Sequence, residues 1–505
     1  MTPRYSRLLE VAGSLVMAAT VIFLPITSLP VLSRLMDRTL VAPPSAVLVA
    51  LIALVWLPVF MYRGGLIPRE SAAVWAFFYV ALISAGLAFF RVYPSYKGFT
   101  IVRSETSALM TLGMAAAFYL VFSLYHRRSR ELRTFFVMLN LSGMLLLGWS
   151  LVQLYVVLMN AGEYDGWMVR FHDALSIRSL TAHTFYDRVT GFAYEPSWLA
   201  NMLNLLYLPF WLAASLVGFS AFPKVKRISL ENVLLPVGAL VLFFSFSRIG
   251  LAAFLLVLAY LSFTLILRLA RWIALRVASH FGARHERALS VLFSIIMALV
   301  IALVFASAAL AVVRTMAQFD ARVARLFDPD RYYTLDPFQL ARNFAFGERL
   351  VYWTVGWRVF ADYPLLGVGP GNAGFFFVQK LPLYGWGMAE TVRVVDALAH
   401  LPNVKSLWLR LLAETGLVGF SIFAAWLFVL WRGCGFLKTR AEGIYRMAGW
   451  MGCFALIAFI AEGFSTDSFA LPYLWVSLGI LTAASALART TATSEEPAVE
   501  YSRPS

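Results

Sequence analysis

The chain has 505 residues, of which 61% are hydrophobic and 14% charged, with a formal net charge of +15. Its apolar residues fall in blocks of about twenty, the length that crosses a hydrocarbon core of about 30 Å, which excludes an ordinary soluble domain with short apolar runs interleaved with charge. Barrel strands would be about half as long, so the expected fold is an all-α polytopic membrane protein.

Taken in chain order, apolar blocks between charge clusters predict about twelve spans: 8–31, 40–61, 71–90, 106–125, 134–158, 197–218, 230–246, 249–267, 290–313, 406–431, 447–464 and 469–487. The first reads as a retained helix and not a signal peptide, because Glu10 interrupts its start and a whole bundle follows. Basic clusters at 126–133, 224–227, 268–287 and 432–446 fall on one side under strict alternation. The positive-inside rule makes that side cytoplasmic, with both termini there. The chain then divides into a bundle of about nine helices at 1–313 with an outward loop at 159–196, a large outward loop at 314–405, three last helices at 406–488, and a polar tail at 489–505 that reads as disordered. Outward segments of this length mark function more than connection, and the many basic residues of the larger one call for an anionic partner such as a phosphate or an acidic sugar.

Four stretches carry residues able to do chemistry. In DRVTGFAYEPSWLA, Glu195 precedes Pro196 at the positive end of a helix, beside Arg188 and Tyr194. Its plainer reading is a helix cap; at the membrane boundary it could also act as a general base if a substrate hydroxyl came within hydrogen-bond reach. In FFSFSRIGLAAF, Arg248 stands between two apolar runs with essentially no loop, where it either snorkels to headgroups or, with Ser245 and Ser247, forms an anion-binding corner. From Phe346 to Tyr363 the pattern predicts an amphipathic helix lying in the interface, with Trp353, Trp357 and Phe360 as its apolar stripe and Arg349 one turn before Trp353. Pro364 stops that helix, and the glycine-rich GVGPGNAG that follows allows a tight turn with close approach to a ligand. In AHLPNVKSLWLRLLAETGLVGF, His400 and Lys405 hang just above the tenth span, and Glu414, buried inside it, needs a partner. Asp328 and Asp330 flank a proline in a turn-rich stretch and read as turn chemistry, so no metal site is expected. Cys434 and Cys453, without a CxxC pair or a nearby His, imply neither a disulfide framework nor zinc.

Together these motifs resemble the O-antigen polymerase/ligase superfamily. The resemblance rests on Ser247, Arg248 and Gly250 as an SR-x-G element, on Arg349, Trp353, Pro364, Gly367 and Gly369 as R-x3-W…P-x2-G-x-G, and on LLAETGLVG from Leu411 to Gly419. It covers roughly the second half of the chain. It implies a GT-C-like membrane architecture in a bacterial inner membrane, a periplasmic active face, and a glycosyltransferase whose donor glycan is carried on undecaprenyl pyrophosphate, without cofactor or nucleic acid and with a chain-length regulator as a possible partner. Many members have a histidine nine residues before the Glu of AETG, where this chain has Lys405, with His400 five residues earlier. The R-x2-G-x3-EPS element of Arg188, Gly191 and Glu195 resembles that of exopolysaccharide and O-antigen polymerases more than that of ligases. The roles implied are pyrophosphate binding for Arg248, Arg349 and Lys405, catalysis for Glu195 with His400 in reserve, and weaker substrate contacts for Arg188, Tyr194 and Trp353. A ligase acting on lipid A core or protein is the alternative. A flippase-type transporter is disfavoured because polar residues gather at one face instead of along the middle of the helices.

Overall fold

The computed structural model describes residues 3–35, 40–159, 162–181, 187–281, 286–318, 321–324, 327, 346–396 and 401–495. A helix occupies each of the predicted spans. In chain order these are α1 (Pro3–Ile22), α2 (Pro44–Tyr62), α3 (Ala72–Ala88), α4 (Ile101–Tyr125), α5 (Ser129–Met159), α6 (Pro196–Val217), α7 (Leu230–Phe244), α8 (Arg248–Phe281) and α9 (Glu286–Ala317). The helix α10 (Gly347–Asp362) lies in the long loop, and α11 (Leu407–Arg440), α12 (Gly443–Glu462) and α13 (Tyr473–Glu495) close the chain. By length and apolarity, nine helices among the described residues could cross a membrane. The expected twelve are not reached on that measure, because α1 offers only the apolar piece Val11–Ile22, α7 is 15 residues long, and α13 falls outside the nine.

Prolines interrupt two of the predicted spans. The first ends at Ile22 instead of continuing to residue 31. Pro25 and Pro30 withhold N–H groups there, and Ser28 instead forms bridges to Ala42 and Ser176. In α6 the turn Leu203–Tyr207 widens to a π-helix just ahead of Pro209, whose ring would otherwise collide with the carbonyl four residues back. The last helix runs on to Glu495, past the expected boundary near 487. Asp328, Asp330 and His400 lie outside the described residues.

Buried aromatic and aliphatic side chains hold the bundle together, with α11 packed along α12 and α13 along α4. A second, smaller core sits at one end, where Val351, Tyr352, Val355 and Val359 of α10 meet Phe375, Phe376 and Phe377 of the following loop and Tyr96 of the α3–α4 connection. The buried face of α10 is therefore this valine–tyrosine stripe. Trp357, expected on the apolar stripe, is exposed. The reason is local: the loop after Pro364 folds back over α10 and supplies a better-matched apolar partner than solvent or lipid.

The connection between α5 and α6 contains a short helix, Gly166–Leu175, anchored by His172. Its Nδ1 accepts from Trp149 Nε1 at 3.4 Å and its Nε2–H donates to the Arg178 carbonyl at 3.1 Å, an arrangement that needs the neutral ring. Burial pushes its pKa down to about 4. The unfolded chain therefore binds the extra proton first, so this contribution is complete above about pH 6.5 and is lost as pH falls toward 4, at up to about 1.4 kcal/mol per pH unit. Thermal melting between pH 7 and 5 should show a fall that is blunted in His172→Gln; identical slopes in the two proteins would contradict a buried neutral ring.

Candidate functional site

The Glu195 segment is built from α5 outward. Gln153, buried in α5, accepts with its side-chain oxygen from the N–H of Thr190 (3.0 Å) and of Gly191 (2.8 Å) and donates to the Gly191 carbonyl (3.1 Å). Gly191 has φ +60°, and a Cβ there would stand 2.8 Å from Leu146, so the turn demands glycine. Arg188 straps this turn to the end of α7, its Nε donating to the Ser245 carbonyl (3.0 Å) and its terminal nitrogen to the Phe246 carbonyl (2.5 Å). Both carbonyls lie just past the last residue of that helix. Tyr194 accepts from Arg178, whose guanidinium also lies 4.2 Å from its ring centre. Glu195 then occupies the N-cap position of α6, but its side chain makes no capping bond to a backbone N–H. It accepts instead from the Ser197 hydroxyl.

Next to it, Ser247 caps α8 by accepting from Gly250 N–H (3.3 Å), leaving Arg248 exposed at the first helical position. Gly250 is where α8 meets α6: a Cβ there would lie 2.6 Å from that of Ala200, and Asn204 donates to its carbonyl at 2.8 Å. The SR-x-G element thus has a physical content, a cap, a cation and a contact point, that sets Arg248 against the first turns of the helix headed by Glu195.

The glycine-rich loop does something the sequence did not predict. Its close approach is to the protein's own backbone. In α11 the helical ladder breaks at Gly416, which has φ 65° and ψ −169°. The groups released by the break pair with the loop: Val368 and Gly369 donate to the Ala413 and Glu414 carbonyls (both 2.9 Å), while Leu417 and Val418 donate to the Pro364 and Leu365 carbonyls (2.8 and 3.2 Å). A Cβ at Gly367 would overlap the Glu414 backbone at 2.3 Å. The P-x2-G-x-G and AETG elements are therefore two halves of one docking joint. Glu414 finds the partner it needs in Arg410, whose Nε lies 3.0 Å from its carboxylate.

This joint holds α10 against the start of α11 and brings the remaining site residues together. Lys405, in the left-handed region at φ 52°, pairs with Glu390 and lies 4.3 Å from the Tyr352 ring centre. Trp353 donates to the Lys405 carbonyl (3.4 Å) and packs on Phe346 and Phe464, so it positions this loop. Arg349 is half-buried beside them, and among the described residues its Nη1 is shielded from solvent and has no hydrogen-bond partner. Burial pushes the guanidinium below its ordinary value, against the opposing pull of Asp467, Glu390 and Glu195. A guanidinium stays charged in proteins, so the site holds a cation with one unsatisfied donor nitrogen, drawn by carboxylates from three separate segments.

Two of those carboxylates were not singled out in the sequence. Asp467, in the α12–α13 connection, is raised by burial, with the Arg410 and Lys405 charges opposing. Glu390 shares a hydrogen bond with Glu348; burial pushes both up, and the bonds from Glu348 and Lys405 reverse this for Glu390 alone, which ends below its ordinary value. Neither Asp467 nor Glu390 sits in a recognisable motif, and only their common distance from Arg349 and Lys405 marks them. Gln153 was missed for the same reason. Among the described residues no cluster of His, Cys, Asp and Glu could hold a metal ion.

The docking joint, Arg248, Arg349 and Lys405 all fall inside residues 233–424, which match the family model described as O-antigen ligase. The chain carries a domain of the O-antigen polymerase/ligase superfamily. Comparison with curated proteins found no match. Glu195 and Asp467 lie outside the matched stretch and are linked to it by their electrostatic pull on Arg349. An O-antigen ligase or polymerase type of activity, on a lipid-linked glycan and in a membrane, is what this domain indicates.

Proposed function

We propose that the protein is a polysaccharide polymerase that joins undecaprenyl-pyrophosphate-linked repeat units at the periplasmic face of a bacterial inner membrane, into O-antigen, capsule or exopolysaccharide. The observation that carries this reading is the buried, unpartnered Nη1 of Arg349, held among Glu195, Glu390 and Asp467. Leaving such a donor unsatisfied costs about 1–3 kcal/mol or more, a cost offset when a ligand oxygen accepts from it. The reaction needs that donor. An acceptor hydroxyl attacks the anomeric carbon, a new C–O bond forms, the bond to pyrophosphate breaks, and the electron pair leaves on the phosphate oxygen. Arg349, with Lys405 and Arg248, stabilises the departing charge, and Glu195 takes the hydroxyl proton. Preference for a polymerase over a ligase rests on the R-x2-G-x3-EPS element and on Lys405 in the slot where many members carry histidine.

The test is the purified protein with lipid-linked repeat units alone, products resolved by size. Wild type should give a ladder. Glu195→Gln should slow it by about 10²–10⁴-fold, the range of a general base, while the protein keeps its melting temperature. Full activity in that variant would remove Glu195 from the chemistry. Transfer only after addition of lipid A core would make the protein a ligase.

A further inference from the structure

Behind the cluster just described lies a cavity of about 340 Å³, between α3, α4 and the start of α11. That volume falls in the usual range for small-molecule sites, roughly 300–1,000 Å³. On α4 its wall carries Ser104, Ser107 and Thr111, at i, i+3 and i+7 on one helical face, a polar stripe about 10 Å long entering an otherwise apolar bundle. The facing wall is the Arg410–Glu414 pair, and Phe77, Phe99 and Phe469 supply flat apolar surface. Arg410 is also the partition toward the first site, because its Nη1 donates to the Asp467 carbonyl at 2.5 Å.

These features select a chemistry. An acyl chain gains nothing from hydroxyls and a buried ion pair. An anion is disfavoured deep in the cavity, because Glu414 neutralises Arg410 there; Arg103, over the Phe99 ring, and Ser107 line its exposed side. A neutral polyhydroxy ring suits the cavity: its hydroxyls can donate to Glu414 and to Thr111, whose own proton is held by the Ser107 carbonyl at 2.9 Å, and accept from Arg410 and Ser107, while its C–H face lies on phenylalanine. A desolvated ion pair is a costly stabiliser and is better explained where it faces a ligand.

We propose that this cavity is a sugar subsite for the acceptor chain, on the far side of Arg410 from the cations that hold the donor's pyrophosphate. The assignment to the acceptor rests on the polymerase reading; sugar binding does not. The test uses the full-length protein in nanodiscs and two probes. The first is the repeat-unit oligosaccharide freed from its lipid, observed by saturation-transfer NMR. Wild type should transfer magnetisation to it, and Ser107→Trp and Thr111→Phe, which fill the cavity from two positions, should each lose at least about 80% of the signal. No transfer in wild type, or equal transfer in folded variants, overturns the proposal whether or not a ladder forms. The second probe is the lipid-linked single unit, varied against a fixed preformed polymer on the same lipid. Ser107→Trp should raise KM for the single unit at least tenfold and leave that for the polymer unchanged. Equal rises in both overturn the acceptor assignment, and transfer without any ladder in wild type overturns the polymerase reading alone.

Discussion

Arg349→Ala should abolish glycan transfer almost completely, with a fall of about 10²–10³-fold in kcat, the effect of removing one preorganised donor from a developing anion. Of the three candidate cations, Arg349 has the strongest case. Arg248 is exposed at the head of its helix, and Lys405 is already paired with Glu390. Arg349 alone among them has a shielded nitrogen without a partner among the described residues. Arg349→Lys should rescue little, because an ammonium cannot reproduce two parallel donors toward a phosphate. The measurement is single-turnover transfer from a labelled lipid-linked donor, with the melting temperature recorded alongside. For the Arg349 charge the cost of burial outweighs the pull of the three carboxylates, so Arg349→Ala should melt near the wild-type temperature while losing activity. Lost activity together with lost stability would point to a structural role and away from the leaving group.

Gly416→Ala should have the largest effect on folding. The φ and ψ of this residue lie in a region open essentially only to glycine. An added Cβ would also stand 2.2 Å from the Leu365 carbonyl oxygen, a backbone atom that cannot turn aside. Relief requires pulling the loop off α11, which strands the four joint hydrogen bonds and exposes the small core around α10. A destabilisation above about 4 kcal/mol follows, in the exceptional range for a single substitution. Size-exclusion profiles and melting of the detergent-purified protein would register it. Gly435→Ala, in the same helix with open space around the missing Cβ, should melt like wild type. If Gly416→Ala behaved equally well, the broken helix would not be the joint that holds the site.

The membrane character, the helical class, the approximate positions of the spans and the list of suspect residues were all legible in the sequence. They depend on local quantities, such as an apolar block long enough to cross a bilayer, a proline that stops a helix, or an arginine left between two apolar runs. Glu195, Arg349 and Lys405 stood out for this reason, each being charged at or near the start of a helix. The failures come from partners that lie elsewhere in the chain. The break at Ile22 and the π turn before Pro209 come from prolines whose effect depends on what else can satisfy the backbone, and the buried face of α10 depends on which loop returns to cover it. Only the tertiary structure could decide that the glycine-rich loop binds the AETG helix and not a ligand, since the two are separated by nearly fifty residues that carry no record of the pairing. Likewise Asp467 and Glu390 are unremarkable in their own segments. They become part of a site because α10, the start of α11 and the α12–α13 connection converge there, and electrostatic interaction depends on distance in space rather than along the chain.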